Sequence, residues 1–351
     1  MNLKCFNPVA GVFVALFAIN FAQAQIVQTL PVPKTSSASG TILAADDSKS
    51  LNEWLMRMHE SSKNRSYIGT YVVTSGGFMS SAKIWHVCEG NQQMERVETL
   101  SGAPRSVFRH NDRVVTFMPE QKIVRTEKRE SLGLFPQWQR LADSRIGDFY
   151  RVKKQSAERV AGLEADVFEL SPKDTVRFGY RVWTDKKKGL IIKLQTLDMN
   201  GQVLEQAAFS ELQLDAPVKM DKLLRMMNKV DGYRAEQSVL VKTTAIAEGW
   251  LLKTPAAGFR SMSCYKRPEA MASNPMGLSD EPLQWIFSDG LASVSLFIEP
   301  FDRQRHEKPA SMSVGATQTM TRQIGAYWLT AVGEVPMSTL RVFANGLERK
   351  Q

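Results

Sequence analysis

Apolar and polar residues alternate along most of residues 66–212, and a period of two is typical of strands in a half-buried sheet. Tyr67, Tyr71 and Val73 fall on one face of the first such strand. About nine antiparallel strands with almost no helix are predicted, and such a sheet must close or curl to protect its edges. The shorter predicted strands lie at 82–87, 94–100, 106–109, 114–117 and 122–125.

The most regular alternation lies in residues 180–212, YRVWTDKKKGLIIKLQTLDMNGQVLEQAAFSEL, which predict three strands and two turns. Ile192 and Leu194 alternate with polar neighbours, as do Phe178 and Tyr180 in the strand before them. Asn200–Gly201 provides the residues that favour positive φ angles in a tight hairpin turn. The segment contains no His, no Cys and no nucleophile beside a base, so its regular strand pattern is not a sign of catalysis.

Two stretches depart from the strand pattern. A helix is predicted before the first strand, because Ser50 and Glu53 form a capping box. Residues 131–150, SLGLFPQWQRLADSRIGDFY, interrupt the alternation and predict an apolar loop that carries Phe135 and Trp138. The apolar face of the predicted helix comprises Leu51, Trp54, Leu55 and Met58.

A second, small α+β unit is predicted after residue 240. Strands are expected at 249–254, 259–265 and 323–332, and PLQWIFSDGLASVSLFIEP predicts a hairpin with Asp289–Gly290 at its turn. Ser338 is expected to cap a last helix. The residues of this helix that face the core are predicted to be Leu340, Phe343, Ala344 and Leu347.

The N-terminal residues predict a secretory signal peptide. Lys4 gives a basic start, residues 9–21 are mostly apolar, and Ala22–Gln23–Ala24 is an A-x-A cleavage site. Cys5 lies before the apolar run, so a lipid-anchored N-terminus is not expected. No later stretch approaches the roughly 18 apolar residues of a membrane span. The mature chain is therefore expected to begin at Gln25 and to be soluble and exported.

These patterns predict five segments. The signal peptide covers 1–24, and the Ser-, Thr-, Pro- and Ala-rich residues 25–47 are expected to form a flexible arm without an assigned role. The large β domain is expected at 48–213. Residues 214–240 carry charge, Met and a possible short helix but no strand alternation, so they are predicted to be a linker. The small C-terminal domain is expected at 241–351.

The net charge indicates which kinds of partner the mature chain could bind. Removing the signal peptide leaves 45 basic residues less Lys4 against 36 acidic ones, a net charge of +8. For an exported protein, such a surface favours lipid phosphates or an acidic protein segment over nucleic acid, or it serves solubility alone. Cys88 and Cys264 are the mature chain's cysteines, and spacing leaves open whether they are bridged.

A search for catalytic or metal-binding patterns finds none. No two of the four histidines, His59, His86, His110 and His306, have metal-ligand spacing on a shared element. The sequence lacks H-E-x-x-H, G-x-S-x-G, G-x-G-x-x-G, a P-loop and C-x-x-C. No enzyme, metal site or cofactor is therefore predicted. An exported enzyme whose site is assembled from distant residues stays as a rival.

The remaining candidate is the apolar face of the curled sheet. It is either plain core or the lining of a pocket for an acyl chain, with aromatic loop residues at its mouth. Phe135 and Trp138 are the expected gate. The predicted lining comprises Tyr67, Tyr71, Val73, Ile84, Phe178, Tyr180, Ile192 and Leu194.

Four long stretches resemble a known family. They are YRVWTDKKKGLIIKLQTLDMNGQVLEQ (180–206), GFRSMSCYKRP (258–268), IFSDGLASVSLFIEP (286–300) and AVGEVPMSTLRVFANGLE (331–348). Together with the order of signal peptide, large β domain, linker and small domain, they make the chain resemble the RseB/MucB family of sigma-E factor regulatory proteins. The resemblance covers nearly the whole mature length.

The resemblance implies a mainly β fold with some α structure. Its large domain would be an unclosed antiparallel β-barrel like those of LolA and LolB, with helices in its mouth, followed by a small α+β domain. The family implies a periplasmic negative regulator in the envelope stress response. Such a regulator binds the periplasmic domain of a membrane-spanning, RseA/MucA-like anti-sigma factor and shields it from proteolysis. Lipopolysaccharide or lipoprotein acyl chains would relieve the inhibition.

The resemblance also points to a partner site. Tyr265, Lys266 and Arg267 belong to YKRP, which is similar to a basic pair before proline in the family, so they are expected to meet acidic groups of the anti-sigma factor. A LolA-type lipoprotein carrier is the main alternative, but a carrier needs only the half-barrel. The identity of the lipid, the docking face and any homo-oligomer stay open.

Overall fold

The structure is a computed structural model that describes residues 54, 57, 58, 61, 65–128, 146–237, 240–267, 282–306 and 308–350. The predicted signal peptide (1–24) and arm (25–47) lie outside these residues, as do Phe135 and Trp138. The described residues form two compact units, one up to residue 237 and the other from residue 240. Within them, no helix has the length and apolar character needed to span a membrane.

The first unit is built on a 12-stranded sheet. Its strand order is β12-β6-β5-β4-β3-β2-β1-β11-β10-β9-β8-β7, so β12 and β7 are the two edges and the sheet is unclosed. Its helices are a 3₁₀ turn at Pro119–Gln121, α1 (Ile146–Phe149) and α2 (Met220–Met227). The strands are β1 (Tyr67–Ser75), β2 (Phe78–Glu89), β3 (Gln92–Thr99), β4 (Ser106–His110), β5 (Arg113–Met118), β6 (Ile123–Lys128), β7 (Tyr150–Val160), β8 (Leu163–Pro172), β9 (Gly179–Asp185), β10 (Ile191–Leu197), β11 (Val203–Leu214) and β12 (Arg234–Gln237).

The alternation in the sequence becomes alternation of burial. In β1, Tyr67, Tyr71 and Val73 are buried, while Ile68, Val72 and other intervening residues are partly exposed. The β10–β11 hairpin lies where Asn200–Gly201 predicted it, but its turn differs: Gly201 has a positive φ of 77° while Asn200 does not, and the connection runs from Asp198 to Gln202 instead of being a tight two-residue turn. Such a positive φ lies in the left-handed region that glycine adopts without a Cβ clash.

The predicted N-terminal helix is seen at four residues, 54, 57, 58 and 61, which are helical. The ring centroid of Trp54 lies 4.2 Å from that of Phe168, and Trp54 Nε1 donates a hydrogen bond of 3.2 Å to Thr184 Oγ1. These contacts place the helix against β8 and β9. Ser50, Glu53, Leu51 and Leu55 lie outside the described residues.

The segment predicted as a linker, 214–240, adds structure to the first unit. Helix α2 buries Met220, Leu223 and Met227, which follow helical spacing, in a cluster with Met94 and Phe108. Strand β12 then pairs with β6 in parallel, so the sheet is antiparallel except at this edge. The sequence showed no strand pattern here because β12 is four residues long and mostly exposed.

The second unit contains a seven-stranded sheet of order β13-β15-β16-β17-β20-β19-β18 and the two-stranded ribbon β14-β21. Helix α3 (Met337–Gly346) packs on β17, β19 and β20. The expected Ser338 cap lies one residue inside the helix, and Leu347 is buried in β21 instead of the helix. The strands are β13 (Val241–Lys242), β14 (Trp250–Leu252), β15 (Arg260–Lys266), β16 (Leu283–Ser288), β17 (Ser293–Pro300), β18 (Ser311–Val314), β19 (Thr317–Ile324), β20 (Tyr327–Gly333) and β21 (Leu347–Arg349).

The core of this unit is aromatic. Phe343 of α3 is fully buried, and its ring centroid lies 5.5 Å from that of Phe259 and 5.1 Å from that of Phe287. The hairpin predicted at Asp289–Gly290 joins β16 to β17, with a φ of 106° at Gly290. The predicted fold class, mainly β with an unclosed sheet and a small C-terminal α+β unit, is confirmed.

Candidate functional site

The predicted lipid-lining residues lie in the interior of the first unit. Five of them share one buried cluster with Phe209 and Trp183, while Phe178, Tyr180 and Leu194 are buried outside that cluster. Burial and apolar character suit either a packed core or the lining of a lipid site, so the lipid assignment stays a prediction. The five that cluster are Tyr67, Tyr71, Val73, Ile84 and Ile192.

A buried polar cluster adjoins this apolar lining. Arg109 Nε donates to Glu95 Oε2 at 2.7 Å, and its Nη2 donates to Gln93 Oε1 at 3.3 Å. His86 Nε2 lies 3.8 Å from Glu95 Oε1, and the His86 ring stacks on Tyr67 at a centroid distance of 4.9 Å. Strand pairing places Tyr67 beside His86, His86 beside Glu95, and Glu95 beside Arg109, so the cluster runs across β1, β2, β3 and β4.

Burial and charge shift the acid–base properties of this cluster. Burial alone would raise the pKa of Glu95, but Arg109 and His86 lower it below its ordinary value. Burial, and then Glu95, raise the pKa values of Tyr67 and Tyr71, so both phenols stay neutral. Burial, and then Glu95, raise the pKa of Cys88 to about 11. A protonated thiol is a poor nucleophile, so these shifts favour a structural or binding role.

Tyr71 places a polar atom within the buried apolar cluster. Its Oη is buried and has no hydrogen-bond partner among the described residues. An unpaired buried hydroxyl is costly, and a bound molecule with a hydroxyl or carbonyl oxygen would relieve that cost. The sequence analysis missed this feature and the polar cluster. The polar cluster follows from strand register, which pairs His86 with Glu95 and Glu95 with Arg109, and that register is not readable from the sequence.

Replacing Glu95 tests the polar cluster. Glu95→Gln leaves Arg109 buried without its anion, so the free energy of unfolding is expected to fall by about 3 kcal/mol at neutral pH. The folded-state pKa of Glu95 is lowered, so its contribution is present above the unfolded pKa and is lost as pH falls through the folded pKa. Urea unfolding of the wild type and of Glu95→Gln between pH 7 and pH 3 measures the difference in their free energies of unfolding.

A matched control uses an exposed ion pair on the same sheet. Glu164 and Lys186 lie 3.4 Å apart with mostly exposed side chains, so Glu164→Gln is expected to cost less than about 1 kcal/mol. An equal loss in both variants, or a Glu95→Gln deficit that does not shrink in acid, would contradict the role of Glu95.

The predicted partner residues lie at the end of β15 in the second unit. Lys266 Nζ lies 3.2 Å from Glu248 Oε2, Tyr265 pairs with Lys242 of β13, and the backbone N–H of Arg267 donates to Pro282 O. Their role in partner binding stays a prediction. Next to them lies the buried Cys264, and neither it nor the half-buried Cys88 forms a disulfide.

Comparison with known proteins decides the family. The model of the MucB/RseB N-terminal domain matches residues 50–227, and that of the MucB/RseB C-terminal domain matches residues 244–348. The chain belongs to the MucB/RseB family. The family resemblance predicted from four stretches of sequence is thereby confirmed, and it extends across both units.

Relatives in this family are similar along most of their length. The sigma factor AlgU regulatory protein MucB of Pseudomonas aeruginosa is 27% identical over 316 residues, covering 86% of this chain and 92% of MucB. The sigma-E factor regulatory protein RseB of Haemophilus influenzae is 25% identical over 306 residues, covering 85% of this chain and 91% of RseB. The MucB/RseB family is thus one of regulatory proteins, not of enzymes.

Solved structures support the same assignment. A crystal structure of MucB in complex with MucA(peri) is 26% identical, covers 85% of this chain and 98% of that chain, and has a TM-score of 0.64. A crystal structure of MucB, at 24% identity and a TM-score of 0.62, shows the same fold.

Proposed function

We propose that this member of the MucB/RseB family is a periplasmic negative regulator of an envelope-stress sigma factor. It binds the periplasmic domain of a membrane-spanning anti-sigma factor and shields that domain from regulated proteolysis. The observation that carries the proposal is the likeness to MucB in the structure with MucA(peri), which spans 98% of that chain at 26% identity. The predicted signal peptide supports the periplasmic location.

The first unit is proposed to sense lipopolysaccharide or lipoprotein. Its unclosed sheet carries a large cluster of buried apolar residues, and Tyr71 Oη, which has no hydrogen-bond partner among the described residues, would give a bound lipid a polar contact. Each buried CH₂ of an acyl chain contributes about 0.8 kcal/mol, so even a partly inserted chain would bind. A lipid relieves inhibition only as far as it binds the free regulator more tightly than the complex.

Protection from proteolysis tests the proposal. The purified mature protein is mixed with the periplasmic segment of its own organism's anti-sigma factor and with the protease that first cleaves that segment. Cleavage is expected to slow in proportion to the fraction of segment bound, and added lipopolysaccharide should restore it. Unchanged cleavage at saturating regulator would refute the shielding role.

A pull-down from envelope extracts separates this function from that of a LolA-type carrier. Recovery of the anti-sigma factor supports the regulator. Recovery of acylated cargo without the anti-sigma factor would support the carrier. The second unit argues against a carrier, because a carrier needs only the half-barrel.

A further inference from the structure

A small cavity in the second unit combines aromatic, apolar and cationic walls. It has a volume of about 260 Å³. Leu283, Ile298 and Pro300 supply apolar surface, and Trp250 and Tyr327 supply aromatic surface. Its charged walls are Lys266, Glu248 and Arg349. Lys266 was predicted from sequence to contact a partner, whereas Trp250, Tyr327 and Arg349 were not.

Arg349 is held in place by its neighbours. It pairs across the ribbon with Trp250, and its guanidinium carbon lies 5.2 Å from the Trp250 ring centroid and 4.7 Å from that of Tyr327. Its Nη1 donates a hydrogen bond of 2.7 Å to Glu248 O. Stacking of this kind fixes a guanidinium while leaving its in-plane donors available.

Gly249 permits this arrangement. Its φ is +74°, and a Cβ there would lie 3.3 Å from the guanidinium carbon of Arg349. Any side chain at this position would therefore press on the arginine and strain the backbone. The conformation of the β14–β21 ribbon thus seats the guanidinium directly against a glycine backbone.

The charges around the cavity favour an anion. Glu248 is already engaged, since Oε2 lies 3.2 Å from Lys266 Nζ and Oε1 accepts a hydrogen bond of 2.8 Å from Thr243 Oγ1. In the part of the chain that the structure describes, Glu248 O is the single hydrogen-bond acceptor of the Arg349 guanidinium. Lys266 is already paired with Glu248, so Arg349 is the cation of this cavity whose guanidinium retains donors for a further acceptor.

We infer that this cavity binds a carboxylate that lies next to an apolar side chain on a peptide. Resting on the proposed function, the inference assigns that peptide to the periplasmic segment of the anti-sigma factor. A guanidinium fork matches a carboxylate in two parallel hydrogen bonds, and the apolar wall accepts the neighbouring side chain.

The composition and size favour a peptide over a lipid. Trp, Tyr and Arg are the residues enriched where protein partners bind most strongly. A volume of about 260 Å³ suits one or two side chains and is smaller than the range of sites that enclose whole ligands.

Binding of the anti-sigma periplasmic segment to Arg349 variants is the first test. Arg349→Gln is expected to weaken binding about tenfold or more, and Arg349→Lys nearly as much, because Lys cannot form the planar fork. Arg341→Gln removes an exposed arginine from the same unit and should leave the affinity unchanged. Thermal unfolding of each variant checks that it folds. Wild-type affinity in a folded Arg349→Gln protein would overturn the inference while leaving the proposed function standing.

A second test does not need the anti-sigma factor. NMR signals of Arg349 Nε–H and Trp250 Nε1–H are followed during titration with the dipeptide Ac-Leu-Glu-NH₂ and its matched amide Ac-Leu-Gln-NH₂. A saturable shift at roughly millimolar concentration is expected for the acid alone. No saturable shift would overturn the inference. Equal shifts with inorganic phosphate would identify a general anion site and overturn the peptide assignment.

The two tests separate the two proposals. If the acidic dipeptide shifts both signals but the anti-sigma segment does not bind the wild-type protein, the cavity assignment stands and the proposed function fails.

Discussion

Gly69→Val is expected to unfold the first unit or to lower its free energy of unfolding by about 3 kcal/mol or more, a severe case of overpacking. A Cβ at Gly69 would lie 2.7 Å from two ring atoms of Phe209 and 2.8 Å from Glu211 O. The backbone oxygen cannot move without breaking the β1–β11 pairing, which shifts register just after this position. Phe209 would be driven out of the cluster that holds Tyr67 and Tyr71.

Urea unfolding of the purified variant measures this effect, and Gly147→Ala is the control. A Cβ at Gly147 meets nothing within 4 Å, and Gly147 lies in the short helix α1, where Ala is favoured over Gly. The control should therefore be neutral or slightly stabilising. A Gly69→Val protein as stable as the wild type would show that Phe209 can move, and the interior would then be less closely packed than the structure indicates.

Phe343→Ala is expected to lower the free energy of unfolding of the second unit by about 3–5 kcal/mol, because it removes a fully buried ring and leaves a cavity. The ring lies close to those of Phe259 and Phe287, so α3 would lose these aromatic contacts. Helix α3 runs directly into β21, which carries Arg349, so partner binding should weaken with the loss of structure.

The neighbouring residue provides the control for this variant. Val342 lies on the same helix with 45% of its surface exposed, so Val342→Ala should change stability by less than about 0.5 kcal/mol. Hydrogen exchange of the amides in β16, β17 and β20 reports the second unit by itself. Equal protection of these amides in the two variants would contradict the assigned role of Phe343.

Local pattern was sufficient for much of the fold. The burial alternation of β1, the positions of the hairpins at Gly201 and Gly290, and the buried face of α3 all followed from residue spacing. These features depend on residues within a few positions of one another, which is the range over which periodicity and turn chemistry act. The family was also readable from sequence, because long stretches keep their order in both units.

The predicted linker shows the limit of local pattern, which indicated a possible short helix there but neither the packing of that helix in the first unit nor strand β12. Helix α2 has eight residues, and a helix this short is stable only when its apolar face packs on other structure. Its partners, Met94 and Phe108, lie more than a hundred residues earlier in the chain. Strand β12 likewise pairs with β6, with Arg234 beside Ile123. Nothing local in 214–240 encodes those contacts.

The candidate sites also combine residues that the sequence indicated with contacts that only the tertiary structure decided. Sequence alone selected Tyr67, Tyr71 and Ile84, which are buried in the structure, because alternation is a property of the chain. It also pointed to Lys266 as a partner contact through family likeness, and that role stays a prediction. The ion pair of Glu95 with Arg109 and the stack of Arg349 on Trp250 were decided by tertiary structure. The physical reason is strand register: side chains from separate strands meet only when backbone pairing aligns them, and that alignment depends on the packing of the whole sheet.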